Sequence, residues 1–517
     1  MNKVLSIIIP SLIIIFIPNI IYAHGFGERY DLPIPLNYFI MSSSITIIIS
    51  FVLIGVFVKQ KKISNISGQF FSSYKNQNIL FQKPIFNKLS QFILKLLKII
   101  SVILLLLTII SGLIGNQDPY KNFSVIFVWI IWWIGMGYIN AIIGDIWNIL
   151  NPWKIIFEIY EFHLAKFIYL KNYFPIYHYP KKLDAWPSVI LFLLFAWLEN
   201  VFDTSTPYKL SSLIIIYSII TWIGMIIFGK YTWIEYGDPF SKFFKIMAKF
   251  SISELKILDT NNCKTCKFNC LENNECIDCY LCQEIASKDK KILRLRFPGK
   301  GLTKVQNISM ATSIFVLLQL ATVSFDGIVE TPFWVTIQIH AFPTISLLGP
   351  NVVSNMNTLG LILFPIIFIM IYYFFTWFIY VFSGKSINTI YIFKKFVLSL
   401  VPIALAYHFA HYLGYILIQG QYIIPLLSDP FGNGLNIFGS ANYTINIAII
   451  NAKTAWFISL ISILAGHIIS IYISHKIALK TFDNHKSAIR SQYPMLFLMI
   501  FYTALSLWII AQPIIAN

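Results

Sequence analysis

Apolar residues run through this chain in blocks of about twenty, separated by short polar stretches. After an initial block, the runs fall near 36–58, 95–115, 123–148, 187–202, 210–229, 306–325, 357–382, 395–418, 453–475 and 494–512. A helix needs about that length to cross the hydrocarbon core of a bilayer, where every backbone polar group must be satisfied within the segment. The pattern predicts an all-α polytopic membrane protein with about ten transmembrane helices and the lipid bilayer as its first partner. A further apolar stretch, 331–350, is broken by Pro332, Pro343 and Pro350 and reads as re-entrant or interfacial rather than as a crossing.

The initial block has the form of a secretory signal. Lys3 precedes an apolar core, and Ile21-Tyr22-Ala23 suits cleavage after residue 23. The expected organisation is a signal peptide over 1–23, a membrane domain over 24–229, a polar loop over 230–305 and a second membrane domain over 306–517.

Only 12% of the residues are charged, about half the share in soluble domains. The net charge of +17 would elsewhere raise nucleic-acid binding, but here Lys and Arg crowd the loops beside apolar runs. Loops 59–98, 149–186, 230–305, 383–395 and 476–490 hold most of them, and the alternate loops hold only Arg29, Lys121, Lys209 and Lys453. The positive-inside rule places the first set in the cytoplasm. The expectation is a multi-pass protein of the cytoplasmic (inner) membrane, with its mature N-terminus outside and no nucleic-acid partner.

Three strings recur in order at an offset of about 88 residues. Pro119-Tyr120-Lys121 returns as Pro207-Tyr208-Lys209, Trp133-Ile134-Gly135-Met136 as Trp222-Ile223-Gly224-Met225, and Asn151-Pro152-Trp153 as Asp238-Pro239-Phe240. The repeating unit would be a two-helix hairpin. Two spans per unit preserve orientation, so the repeat is parallel, a device found in transporters. KIIFEIYEF and SKFFKIMAKF, which end the units, read as amphipathic helices along the inner surface.

Ionisable residues inside spans are costly and are functional candidates by default. Glu199 and Asp203 lie one helical turn apart, as do Asp326 and Glu330, and His408 and His411 share a face. All sit towards outer ends, where they could form an outward-facing His/carboxylate site. Such a site could hold a metal of unknown identity for hydrolysis or relay protons in a transporter. His340, Asp429 and His467 are further polar candidates, and for the isolated His467 a structural hydrogen bond to a neighbouring helix is the expectation. Cleavage after Ala23 would make His24 the mature N-terminus, whose amine and ring nitrogen together could bind copper. The chain lacks HExxH, His-x-His, Walker A and GxSxG patterns, so nothing supports an ATPase or a serine hydrolase.

The cysteines are Cys263, Cys266, Cys270, Cys276, Cys279 and Cys282, all within CKTCKFNCLENNECIDCYLCQ. On a cytoplasmic loop they would stay reduced, which disfavours a disulfide knot. Two CxxC pairs suit a tetrahedral zinc site. The C-x2-C-x2-C run leaves an iron–sulfur cluster open as the alternative. The stretch reads as a small cytoplasmic Cys-rich insert folded around metal.

The blocks AHGFGERYDLPIPL (23–36), GDIWNILNPWKIIFE (144–158), SFDGIVETPFW (324–334) and AYHFAHYLGYILIQGQYIIPLLSDPFG (406–432) resemble a family of bacterial polytopic membrane proteins labelled fenitrothion hydrolase. The resemblance spans most of the chain outside 59–93 and the Cys loop. It implies a hydrolase of organophosphorus esters acting on a small-molecule substrate, and it supplies no catalytic residues. Two other functions stay open from the residues: a solute or ion transporter built on the hairpin repeat, and a metal-handling or assembly partner of other membrane subunits.

Overall fold

The computed structural model describes residues 32–58, 84–167, 175–202, 204–258, 261–264, 266, 268, 270–272, 275–287, 290–304 and 308–512. The signal segment and His24 lie outside the described residues, as does Asp203.

The chain is an all-α polytopic membrane protein. Nine helices among the described residues are long and apolar enough to cross a bilayer: α1 (Leu36–Phe57), α2 (Gln91–Ile114), α3 (Phe123–Ile142), α6 (Pro207–Phe228), α10 (Met310–Val329), α12 (Val352–Phe382), α13 (Thr389–Leu417), α14 (Ala452–Thr481) and α15 (His485–Ile510). The expected span near 187–202 is a shorter apolar helix, α5 (Trp186–Asn200). Each expected run therefore coincides with a helix. Between these lie α4 (Pro152–Phe167), α7 (Lys230–Tyr236), α8 (Pro239–Ala248), α9 (Tyr280–Ile285) and α11 (Pro332–Ile345).

Helix α10 is buried along most of its length and packs against α5, α12, α13 and α15. It is the axis of the bundle, so a carboxylate on it faces protein rather than lipid. Small residues bring the other helices close, as packing in lipid requires. A Cβ on Gly466 of α14 would meet Ala406 and stand 2.7 Å from the Pro402 carbonyl of α13. His475 of α14 ties three segments through its two ring nitrogens, to Gln492 Oε1 and the Val58 carbonyl, both at 2.9 Å.

Segment 331–350 contains α11, 14 residues long, or roughly 21 Å against a hydrocarbon core of about 30 Å. It turns back beside the first turns of α12, with Trp334 Nε1 and Gln338 Nε2 donating to Asn357 Oδ1 at 2.8 and 3.0 Å.

The two segments expected to lie along the surface behave differently. α4 keeps an exposed edge at Ile159, Tyr160 and Phe162, whereas α8 is buried on nearly every side. Asp238 caps α8 by accepting from Phe240 N at 3.1 Å. The aromatic face of α8 then enters the bundle, and Phe243 meets Trp133, Phe192 and His408. Glu235 makes the burial of its lysines tolerable, accepting from Lys245 Nζ at 2.5 Å while its carbonyl faces Lys242 Nζ at 3.4 Å.

Among the recurring strings, Pro119–Lys121 is a separate 3-10 turn whereas Pro207–Lys209 opens α6. Asn151 and Asp238 precede α4 and α8, and both meet one hydroxyl: Asn151 Nδ2 donates to Ser241 Oγ at 3.2 Å, and Ser241 Oγ donates to Asp238 at 2.5 Å. The helices around the WIGM strings differ. α3 runs as a π-helix over Phe127–Gly135, while α6 is regular α-helix throughout.

The polar loop holds the only strands among the described residues. They are β1 (Ser253–Ile257), β2 (Leu271–Glu272), β3 (Glu275–Ile277) and β4 (Lys291–Leu295), in the antiparallel order β2-β3-β1-β4. SELKI (β1) and KILRL (β4) pair along their whole length and close the module outside 263–282.

Candidate functional site: a buried acid–histidine cluster and a thiol module

Asp326 lies one turn before the end of α10, Glu199 at the last turn of α5, and His411 and Tyr412 on α13. The bundle brings them together in its half remote from the cysteines. His411 Nε2 and Tyr412 Oη both reach Asp326 Oδ2, at 2.8 and 2.7 Å. The same tyrosine oxygen lies 3.5 Å from Glu199 Oε1, which also accepts from Trp133 Nε1 at 3.0 Å. The result is a continuous line of Trp133, Glu199, Tyr412, Asp326 and His411. Glu330, one turn beyond Asp326, is near enough to interact with both Asp326 and His411.

His408 shares the site without joining that line. Its ring packs edge-on against Tyr412 and Tyr138, and Tyr138 Oη donates to its carbonyl at 3.2 Å. His408, Gln319, Thr322, Glu199, Asp326 and Tyr412 line a cavity of about 20 Å³, the size of one water molecule. The Gln319 amide and His408 Nε2 are buried without a protein hydrogen-bond partner. These are the polar atoms a bound water would satisfy.

Five of the six ionisable residues singled out from the spans thus converge, Asp203 being outside the described residues. His340 and Asp429 do not join them. His340 Nδ1 faces the Thr336 carbonyl on an exposed helix, and Asp429 accepts from the Asn433 and Gly434 amides to form a turn. His467 bonds the Ile463 carbonyl of its own helix at 2.8 Å rather than a neighbouring helix, and its Nε2 is buried without a protein hydrogen-bond partner. Trp133 and Tyr412 were missed by sequence reasoning, although Trp133 opens the recurring WIGM string and Tyr412 adjoins His411.

Across an aromatic wall of Trp132, Phe195 and Phe240 lies an apolar cavity of about 370 Å³ between α2, α3, α5 and α6. Phe195 packs on Trp133 at 4.7 Å between ring centroids, so this cavity adjoins the carboxylates.

At the opposite end, all six cysteines gather as thiols, five of them buried. None is in a disulfide. Two quartets have every Sγ within 4.8 Å of the others: Cys263, Cys270, Cys276 and Cys282, and Cys266, Cys270, Cys279 and Cys282. These are the only such groups of His, Cys, Asp or Glu among the described residues. In the buried cluster His411 bonds Asp326 at 2.8 Å, and no three of its His or carboxylate ligand atoms meet closely enough to form such a group. Hydrogen bonds from Cys276 and Cys279 push the Cys270 thiol down to about 5, and the same crowding holds Cys276 up. A donor set this dense in sulfur can bind a thiophilic metal.

Glu254 anchors the module's sheet to the bundle. Burial alone would raise its carboxyl, but Lys304, Arg294 and Arg296 outweigh burial and hold it below the usual range. Arg296 Nη1 lies 3.0 Å from Glu254, and Arg296 Nε donates to the Ser251 carbonyl at 2.9 Å. Lys245 of α8 stands 4.1 Å over the Tyr280 ring of α9, and Asn148 donates to Gln283 at 2.8 Å.

No protein-family model, curated protein or solved structure matches this chain.

Proposed function

We propose that the protein is a membrane transporter of protons whose relay is the line Glu199, Tyr412, Asp326 and His411. One observation carries this reading: two carboxylates from different helices meet through one tyrosine hydroxyl, beside a histidine and a water-sized cavity. Tyr412 has a single proton and donates it to Asp326. A proton on Glu199 then completes the line by bonding back to the Tyr412 oxygen. Passing that proton through Tyr412 to Asp326 and on to His411 moves charge between helices without moving side chains far. Ionisable chains of this kind are how membrane pumps and transporters carry protons. The charge bias supports the Cys module lying in the cytoplasm and the acid–histidine cluster towards the outer face of the inner membrane.

In purified protein reconstituted into liposomes with an entrapped pH dye, an imposed potential should drive proton entry. Asp326→Asn should abolish it while leaving the melting temperature near wild type. Equal flux from Asp326→Asn and wild type overturns the reading.

The apolar cavity favours a second reading. Its aromatic walls suit a lipophilic ester beside the carboxylates, in keeping with the fenitrothion hydrolase resemblance. Release of the nitrophenol from fenitrothion by wild type, lost in Glu199→Gln, would establish that reading.

The Cys module serves as a metal-folded anchor in either case. Thiol-only donors and a reducing compartment favour zinc, with an iron–sulfur cluster as the alternative.

A further inference from the structure

We propose that the six cysteines form a binuclear centre for two zinc ions, bridged by Cys270 and Cys282. Cys263 and Cys276 complete one tetrahedron, and Cys266 and Cys279 complete the other. The inference deepens the zinc assignment made above and is independent of the proton relay.

The two sulfur quartets overlap in Cys270 and Cys282 and in no other residue. Four sulfurs within mutual reach make one tetrahedral site, so two quartets with two common members describe two tetrahedra sharing an edge. The spacings agree. Zinc–sulfur bonds of about 2.3 Å give a tetrahedral edge of about 3.8 Å. Cys266 and Cys279, both terminal ligands of one ion, lie 3.9 Å apart. Cys270 and Cys276, bridge and terminal ligand of the other, lie 3.5 Å apart. The shared edge, Cys270 to Cys282, is shorter at 3.4 Å. That is the expected distortion, because two cations repel across a shared edge and the bridging anions draw together to screen them.

Charge balance leads to the same count. A single divalent ion would leave two of six crowded thiols outside its shell. Six thiolates around two divalent ions leave a smaller excess charge per ion, and Lys245 stands near enough to Cys279 to offset part of it. Each ring of ligands also draws on different chain segments. The short helix Asn261–Lys264 carries Cys263, β3 carries Cys276, and α9 carries Cys282. Two ions therefore staple the whole module, where one would leave a CxxC partner loose. A [4Fe–4S] core sets each cysteine on a separate iron, and a [2Fe–2S] core pairs cysteines only on one iron with sulfide between the irons, so neither brings four thiolates as close to one another as these quartets are.

The test is metal content and X-ray absorption on the full-length protein, purified in detergent without chelator. Two zinc ions per chain, a sulfur-only first shell and a zinc–zinc scattering path in wild type are expected. Cys263→Ser and Cys266→Ser should each fall to one ion, and Cys270→Ser should lose both. One zinc per chain in wild type, with no zinc–zinc path, overturns the binuclear centre and leaves a mononuclear zinc module standing. Iron with acid-labile sulfide, or no metal at all, overturns both. The wild-type absorption measurement decides the matter even where a serine variant fails to fold.

Discussion

Tyr412 and Glu254 show how single side chains determine the behaviour of the two ends of the molecule. Tyr412→Phe removes the hydroxyl that links Glu199 and Asp326 while keeping the ring that packs on His408 and His411. A hydrogen bond to a charged group is worth about 1.5–3 kcal/mol, so proton flux in liposomes should fall at least about tenfold with little change in melting temperature. Glu254 has the opposite character, being structural. Glu254→Gln leaves buried Arg296 with only the more distant Asp278 carboxylate, 3.7 Å away, as counter-charge, which should cost up to about 3 kcal/mol and lower the melting temperature. The carboxyl is held below its ordinary range, so its stabilisation is complete above the unfolded value of about 4.3 and is lost as pH falls through the folded one. Wild type should lose stability on acidification below about pH 4.3, and Glu254→Gln should show a flatter profile there. The ionisable members of the cluster were legible in the sequence because charge inside an apolar run is conspicuous. Trp133 and Tyr412 were not, because aromatics are ordinary in membrane helices and only the fold reveals that these two face carboxylates.

Among the elements, α8 joins the two ends. Its Lys245 rests on Tyr280 of the thiol module, and its Phe243 touches Trp133 and His408. The sequence alternates apolar and basic positions here, which suggests a surface helix. The structure buries it because Glu235 and the Asp238 cap satisfy its polar groups locally. The small sheet was equally hidden, since strands of two to five residues within a cysteine-rich loop leave little periodic signal. The spans were legible because lipid demands long apolar runs, a constraint no local context overrides. The close seam between α13 and α14 gives a direct check on packing. Gly466→Val would press a side chain into Ala406 and the Pro402 carbonyl, and a loss of about 1–3 kcal/mol should appear as a lower melting temperature in detergent.

Over the whole molecule, the bundle separates the half that holds the acid–histidine cluster from the half that carries the thiol module. The charge bias predicts that the 429–451 loop is external. Gly434 has open space around it, so an epitope inserted there should be reached by antibody on spheroplasts without permeabilisation. Labelling only after permeabilisation would invert the orientation. The claim that unites these scales is that the acid–histidine cluster carries protons across the bilayer. Current recorded from proteoliposomes on a solid-supported membrane, after a step in pH, tests it most directly. The account predicts a transient in wild type that vanishes in Asp326→Asn and persists in Cys263→Ser. An identical transient in wild type and Asp326→Asn, or none in well-folded wild type, would contradict it.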